Sequence, residues 1–200
     1  MAITTLLLDA DGVLQHPPVG WRTRILELTG ARDWGEVGAV EDPLMTGAGD
    51  LAAAFEAGFP RRSVGVAEII AFWNHTVVDA VALGLVDQVR AGGVRCYLAS
   101  NQQRHRAAYM RSALPYPAHL DGLFFSAEVG LAKPDPAFFA HILDAVGAAA
   151  SETLFVDDMA ANVAGARAAG LLAERAPRVD GAAGVRAILE RHGLLPDGRP

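Results

Sequence analysis

The chain has 200 residues, 52% of them hydrophobic and 20% charged, a composition that excludes a disordered chain and allows a sizeable core. Seventeen basic residues against 23 acidic ones leave a net charge of −6 with no Lys/Arg block, so nucleic acid is not an expected partner. No run of 18 apolar residues suggests a membrane span, and the one cysteine permits no intrachain disulfide, so a soluble cytoplasmic protein is the expectation.

The opening "MAITTLLLDAD" lacks the basic region of a signal peptide. It contains an apolar run, "TTLLLDAD" (4–11), that reads as a strand buried on both faces and ends in Asp9, Asp11 and Gly12. Pro17 and Pro18 would break any continuing element. The next comparable run begins only at residue 94, after helical stretches at roughly 20–30, 49–58, 65–74 and 77–92 with no comparable strand among them. Such an interval is far longer than one crossover. It predicts a helical insertion over 16–85, a small cap on a core of 1–15 and 86–200, with 77–92 leading back into that core.

From there strands and helices alternate. "VRCYLASN" (94–101) predicts a second strand, with Cys96 read as a small core side chain. A helix follows over about 103–114, and a third strand, "GLFFSAE", over 122–128. The loop "GLAKPDPAFF" carries Lys133, then Asp135 as helix N-cap and Pro136 at the first helical position of a helix over 136–147. "TLFVDD" (153–158) is the fourth strand, and a helix over 160–169 closes at Gly170. "LLAERA" (171–176) supplies a weaker fifth strand, and a terminal helix over 181–193 ends at Gly193. The pattern predicts an α/β fold: a doubly wound, Rossmann-like parallel sheet with the helical cap inserted after its first strand.

Every polar cluster falls at the C-terminal end of an expected strand, the edge where open parallel sheets bind ligands. Asp9 and Asp11 follow the first strand, Ser100 and Asn101 the second, and Asp157 and Asp158 the fourth, while Lys133 lies in the loop after the third. Two like charges 4 Å apart repel by about 4 kcal/mol at an effective dielectric near 20. Four carboxylates facing one lysine therefore call for a further cation. All-oxygen ligands point to a hard divalent ion, with Mg²⁺ the best fit beside a phosphate. Singly, DxDG reads as a turn, Ser-Asn as a cap, KPDP as a helix start and DD as a solvated helix N-terminus. In this order, each after its own strand, they read together as one site.

At these residues the sequence resembles the haloacid dehalogenase superfamily of Asp-dependent hydrolases, whose four motifs stand here as "DADGVL", "LASN", "KPDP" and "FVDDMAANVAGARAAG". The resemblance covers residues 4–14 and roughly 92–172, and is nearest to the phosphatase-like subgroup with a DD-x3-N fourth motif and a helical cap of the first type. It implies Asp9 as a nucleophile that forms an aspartyl-phosphate, and Asp11 as the acid for the leaving oxygen and later the base for water. It further implies that Ser100 and the amide of Asn101 hold the phosphoryl oxygens with Lys133, and that Asp157 and Asn162 orient Lys133 and its loop. The Mg²⁺ ligands it implies are the side chains of Asp9 and Asp158 and the main-chain carbonyl of Asp11. The expected substrate is a small phosphorylated metabolite.

Alternatives remain open at this level. A dehalogenase of the same superfamily would lack an acid at position 11, and a phosphorylatable receiver would carry its acidic pair first rather than last. A non-catalytic phospho-ligand-binding member is the third. Specificity is expected from the cap, whose candidates are Trp21, Arg22, Arg24, Glu41, Met45, Arg61, Arg62 and Trp73, with His16 and His75 beside them.

Overall fold

The structure, a computed structural model, describes residues 2–196. Strand alternation decides where the core side chains of β1 (Thr5–Leu8) point. Leu6 and Leu8 join one apolar cluster and Leu7 joins another. The chain then makes a two-residue strand β2 (Gln15–His16) and helices α1 (Trp21–Thr29), α2 (Trp34–Glu41), α3 (Leu51–Gly58) and α4 (Val66–Trp73). It returns through β3 (Val77–Val78) and α5 (Ala80–Ala91). The rest alternates: β4 (Arg95–Ser100), α6 (Arg104–Ala113), α7 (Tyr116–His119), β5 (Gly122–Phe125), α8 (Ser126–Val129) and α9 (Pro136–Val146). Last come β6 (Thr153–Asp157), α10 (Ala160–Ala168), β7 (Leu172–Arg175) and α11 (Gly181–Arg191).

The main sheet is parallel in the order β5-β4-β1-β6-β7. Leu6 is in register with Cys96 and Leu154, and these face α5, α6 and α11. Leu7 is in register with Tyr97 and Phe155, which face α9 and α10 on the other side. Both faces are thus covered, which explains why the strands read as continuous apolar runs rather than alternating ones. The connections leave β1 towards β4 on one side and return to β6 on the other, so the strand order reverses around β1. The crevice at such a reversal, beyond the strand C-termini, is the ligand position in this architecture.

Helices α1–α4 lie after β1 and bury a third cluster of their own, including Ile25, Val37, Phe55, Ile69 and Trp73. The helical insert is therefore as expected, but some elements in and beyond it differ from the expected ones. The expected helix over 77–92 starts only at Ala80, because the Asp79 carboxylate accepts from the amides of Val81 and Ala82 at 2.9 and 3.0 Å and caps it there. Val77 and Val78 instead pair antiparallel with Gln15 and His16, tying together the two ends of the insert with a small ladder. The expected third strand over 122–128 stops at Phe125. Ser126 turns its hydroxyl to accept from the Gln102 amide at 3.0 Å, and Ser126–Val129 is a short helix closed by Gly130 in the left-handed region. Helix α2 was not expected at all. No helix among the described residues is long and apolar enough to cross a membrane.

Candidate active site

Adjacent strands β4, β1 and β6 end side by side and bring their polar residues together. Lys133, carried by the loop before α9, reaches back between two of them. Its Nζ donates to Asp9 Oδ1 at 2.8 Å and to Asp157 Oδ2 at 2.7 Å, and all three side chains are buried. The loop is pinned by a reciprocal pair: Asn101 Nδ2 donates to the Lys133 carbonyl at 2.8 Å, and the Lys133 amide donates to Asn101 Oδ1 at 2.9 Å. Asp135 caps α9 by accepting from the Ala137 amide at 2.9 Å, with Pro136 in the first turn as expected. Behind the loop, Gly165 of α10 presses on Pro134 so closely that a Cβ there would lie 1.9 Å from the Pro134 carbonyl oxygen.

The charges in this buried group act on one another. Burial pushes the Asp9 carboxyl up to about 7, against the Lys133 ammonium, and the Asp157 and Asp11 charges add to the rise. Burial alone would lower Lys133, but Asp9 and Asp157 outweigh it and hold the ammonium above its ordinary value. The Phe155 ring, with its centroid 5.3 Å from Nζ, offers a further face to that cation. Asp157 is fully occupied: besides Lys133 it accepts from the Met159 amide at 2.7 Å and from Asn162 Nδ2 at 3.0 Å.

Asp11 sits differently, partly exposed and held by three donors. Gln15 Nε2 reaches Oδ1 at 2.8 Å, Gln102 Nε2 reaches Oδ2 at 2.6 Å, and Arg106 Nη2 lies 3.5 Å from Oδ1. Tyr116 donates to Gln15 Oε1 at 2.8 Å and fixes that amide, while Gln102 Nε2 also lies 3.3 Å from the buried Ser100 Oγ. Gln15, Gln102, Arg106 and Tyr116 were not singled out from the sequence. One signal was available for Arg106: it lies beside Ala107 and four positions before Met110 on the inward face of α6, where a charge requires a partner.

Asp9, Asp157 and Asp158 each offer a carboxylate oxygen within 4.8 Å of the others, a donor set suited to a hard cation. Asp157 is spent on Lys133, Met159 and Asn162, whereas Asp158 Oδ1 is buried with no hydrogen-bond partner. That orphaned oxygen is the observation that fits an ion held by Asp9 and Asp158. Arg178 was also missed by the sequence reading. Its Nε donates to Asp158 Oδ2, and its Nη2 donates to the main-chain carbonyl of Asp11 at 3.3 Å. Gly12 makes this closeness possible: its φ is 99°, and a Cβ would come 2.8 Å from the Asp158 carboxyl.

Above the strand ends, between sheet and insert, opens a cavity of about 540 Å³. Asp11, Asn101, Gln102, Arg106 and Arg178 line its floor. Trp21, Arg22, Glu41, Met45 and Trp73, five of the cap candidates, form much of its walls together with Trp34. The other candidates lie elsewhere. Arg24 pairs with Glu27, Arg61 with Glu36 and Arg62 with Glu56; His16 lies 3.9 Å from Asp79, and the His75 ring packs against Phe72.

With this geometry in view, comparisons place the chain among known proteins. The family model for haloacid dehalogenase-like hydrolases matches residues 3–170. A sesquiterpene phosphatase from Aspergillus oryzae is 36% identical over 95 residues, 47% of this chain and 48% of that protein, so the match spans about half the length of that relative. A HAD-like family hydrolase from Porphyromonas gingivalis superposes with a TM-score of 0.77 at 20% identity, covering 96% of this chain and 99% of the other. An aspartate-to-alanine variant of a HAD family enzyme from Bacteroides thetaiotaomicron, crystallised with magnesium and inorganic phosphate, gives 0.74 at 24% identity, covering 87% and 94%.

Proposed function

The chain belongs to the haloacid dehalogenase-like hydrolases, and from that premise we propose that it hydrolyses phosphomonoesters of small metabolites through an aspartyl-phosphate on Asp9. An oxygen of the Asp9 carboxylate attacks phosphorus, and the bond to the leaving alkoxide breaks as Asp11 gives that oxygen a proton. Asp11 then takes a proton from water, which attacks the same phosphorus, frees inorganic phosphate and restores Asp9. The Ser100 hydroxyl and the Asn101 amide hold phosphoryl oxygens. Lys133 neutralises both the phosphoryl group and Asp9, and Asp157 with Asn162 keeps Lys133 in place. Asp9 and Asp158, with the Asp11 carbonyl, are the residues that would hold Mg²⁺. Bound there, the ion supplies electrostatic stabilisation of the charge on the transferring phosphoryl group.

One observation carries the reading: Asp11 lies on the floor of the cavity, two residues beyond the buried Asp9. A proton donor in that place serves an alkoxide leaving group, whereas a halide needs none, which sets the dehalogenase reading aside. The phosphatase relative and the magnesium–phosphate complex of the structural relative support the same chemistry. The division into core (1–15 and 86–200) and cap (16–85) belongs to this proposal, supported by the separate apolar cluster of α1–α4. So does a cytoplasmic setting, which suits the buried free thiol of Cys96.

The test is hydrolysis of para-nitrophenyl phosphate with Mg²⁺. Chelation should abolish turnover and added Mg²⁺ restore it, and Asp9→Asn should be folded and inactive. Mass spectrometry of quenched mixtures should find phosphate on Asp9. Full turnover under chelation, or covalent phosphate on another residue, refutes the proposal.

A further inference from the structure

We infer that the cavity selects phosphomonoesters of apolar hydrocarbon alcohols, prenyl or aryl, over those of sugars and nucleosides. This rests on the phosphatase reading and concerns the leaving group, which must lie in the cavity beside Asp11.

The walls carry the inference. All three tryptophans of the chain meet there. Trp21 lies with ring centroids 5.6 Å from Trp34 and 5.2 Å from Trp73, and Trp34 and Trp73 are nearly parallel at 6.2 Å. Pro17, Met45 and Met159 complete the apolar lining. At about 540 Å³ the space falls in the range of small-molecule sites, roughly 300–1,000 Å³.

Most of the polar groups of the lining hydrogen-bond within the protein itself. The Trp21 indole N–H donates to the Phe72 carbonyl at 3.3 Å, turning its polar edge away from a ligand. The Arg22 guanidinium lies 4.5 Å from the Trp34 ring centroid. Arg106 donates to the Trp73 carbonyl and pairs with Asp11. The side chains of Asn101, Gln102 and Arg178 are committed to Lys133, Asp11 and Asp158. Burial pushes Glu41 up to about 8, so near neutrality this carboxyl is mostly uncharged.

A sugar brings several hydroxyls into such a site, and each one desolvated without a partner weakens binding by roughly 5- to 150-fold. A hydrocarbon brings none and gains contact with the rings. Two lost hydroxyl pairings correspond to a discrimination of roughly 30-fold or more.

The experiment compares kcat/KM for geranyl phosphate, 1-naphthyl phosphate and glucose 6-phosphate, with para-nitrophenyl phosphate as the check on phosphatase chemistry. Geranyl and naphthyl phosphate are expected to exceed glucose 6-phosphate by roughly 30-fold or more. Because every tryptophan lies at the cavity, geranyl phosphate should change the intrinsic fluorescence of the Asp9→Asn variant, which cannot turn it over. Trp21→Ala and Trp34→Ala should lower kcat/KM for geranyl phosphate about tenfold more than for methyl phosphate. If neither variant folds, the fluorescence titration still decides. Turnover of para-nitrophenyl phosphate with equal or better use of glucose 6-phosphate overturns this inference alone, as does geranyl phosphate binding with no tryptophan response. Inactivity on every phosphoester overturns the phosphatase reading instead.

Discussion

Glu41 offers a stability experiment whose sign follows from its surroundings. It ends α2, with its side chain turned into the cavity wall. Burial raises its pKa from 4.5 to about 8; Arg106 and the Trp73 indole oppose the rise, and the charges of Asp11 and Asp42 reinforce it. Below pH 4.5 the carboxyl is protonated in both folded and unfolded chains and contributes no difference. Between 4.5 and 8 the unfolded chain loses this proton while the folded one keeps it, so stability falls as pH rises across that window. Above 8 the loss is complete. At about 1.4 kcal/mol per unit, the penalty is on the order of 3 kcal/mol at pH 7 and somewhat larger at pH 9.

Glu41→Gln keeps the shape and removes the titration. Urea unfolding of both proteins, without divalent ions, at pH 5, 7 and 8.5 gives the comparison. The variant should gain on the wild type by a few kcal/mol between the first and last points. Contacts that differ between carboxyl and amide add a constant offset, and the change with pH isolates the ionisation. A difference that stays flat from pH 5 to 8.5, or that grows in favour of the wild type, refutes the buried neutral carboxyl.

Two further outcomes follow from close packing at the strand ends. Gly165→Ala, which helix propensity alone would make stabilising by about 1 kcal/mol, should instead destabilise by about 1–3 kcal/mol, because its methyl meets the Pro134 carbonyl; urea unfolding reads the sign, and a stabilised variant refutes the contact. Arg178→Ala removes the guanidinium that covers Asp158 and the Asp11 carbonyl, so the metal-free protein should melt lower while its rise in Tm with Mg²⁺ becomes larger and its apparent Mg²⁺ Kd drops several-fold; unchanged or weaker Mg²⁺ binding by calorimetry contradicts the overlap of arginine and ion.

The parts of the fold that were legible in the sequence are those where local chemistry and tertiary position agree. Each of β1, β4 and β6 is an apolar run, because both faces are covered, and each stops at residues that cannot be buried without partners. The elements that escaped notice are those where packing overrode local preference. Helix α2 contains Gly35 and Gly38, poor helix formers. It forms because the Asp33 carboxylate accepts from the Glu36 amide and Val37 is buried against the insert's other helices. The Val77–Val78 pair is continuous in sequence with the helical stretch that follows, and only the Asp79 cap separates the two.

The same contrast runs through the site. Asp9, Asp11, Asn101, Lys133, Asp157 and Asp158 could be singled out because each stands beside a strand end or a helix cap, positions that sequence periodicity locates. The residues that set their behaviour carry no such marker. Gln15, Gln102 and Arg106 converge on Asp11 from a two-residue ladder, a loop and the inward face of a helix, and Arg178 arrives 167 residues downstream. Their roles depend on which elements the parallel sheet places side by side. The sequence patterns that reveal the strand-end groups therefore say little about the side of the site where a leaving group would lie. Asp11 is held by Gln15, Gln102 and Arg106, and the space beside it where a leaving alcohol would lie is walled by three tryptophans on the insert. On the proposed phosphatase reading, substrate preference is tuned through the packing of α1, α2 and α4 against the sheet, with the strand-end carboxylates left as they are.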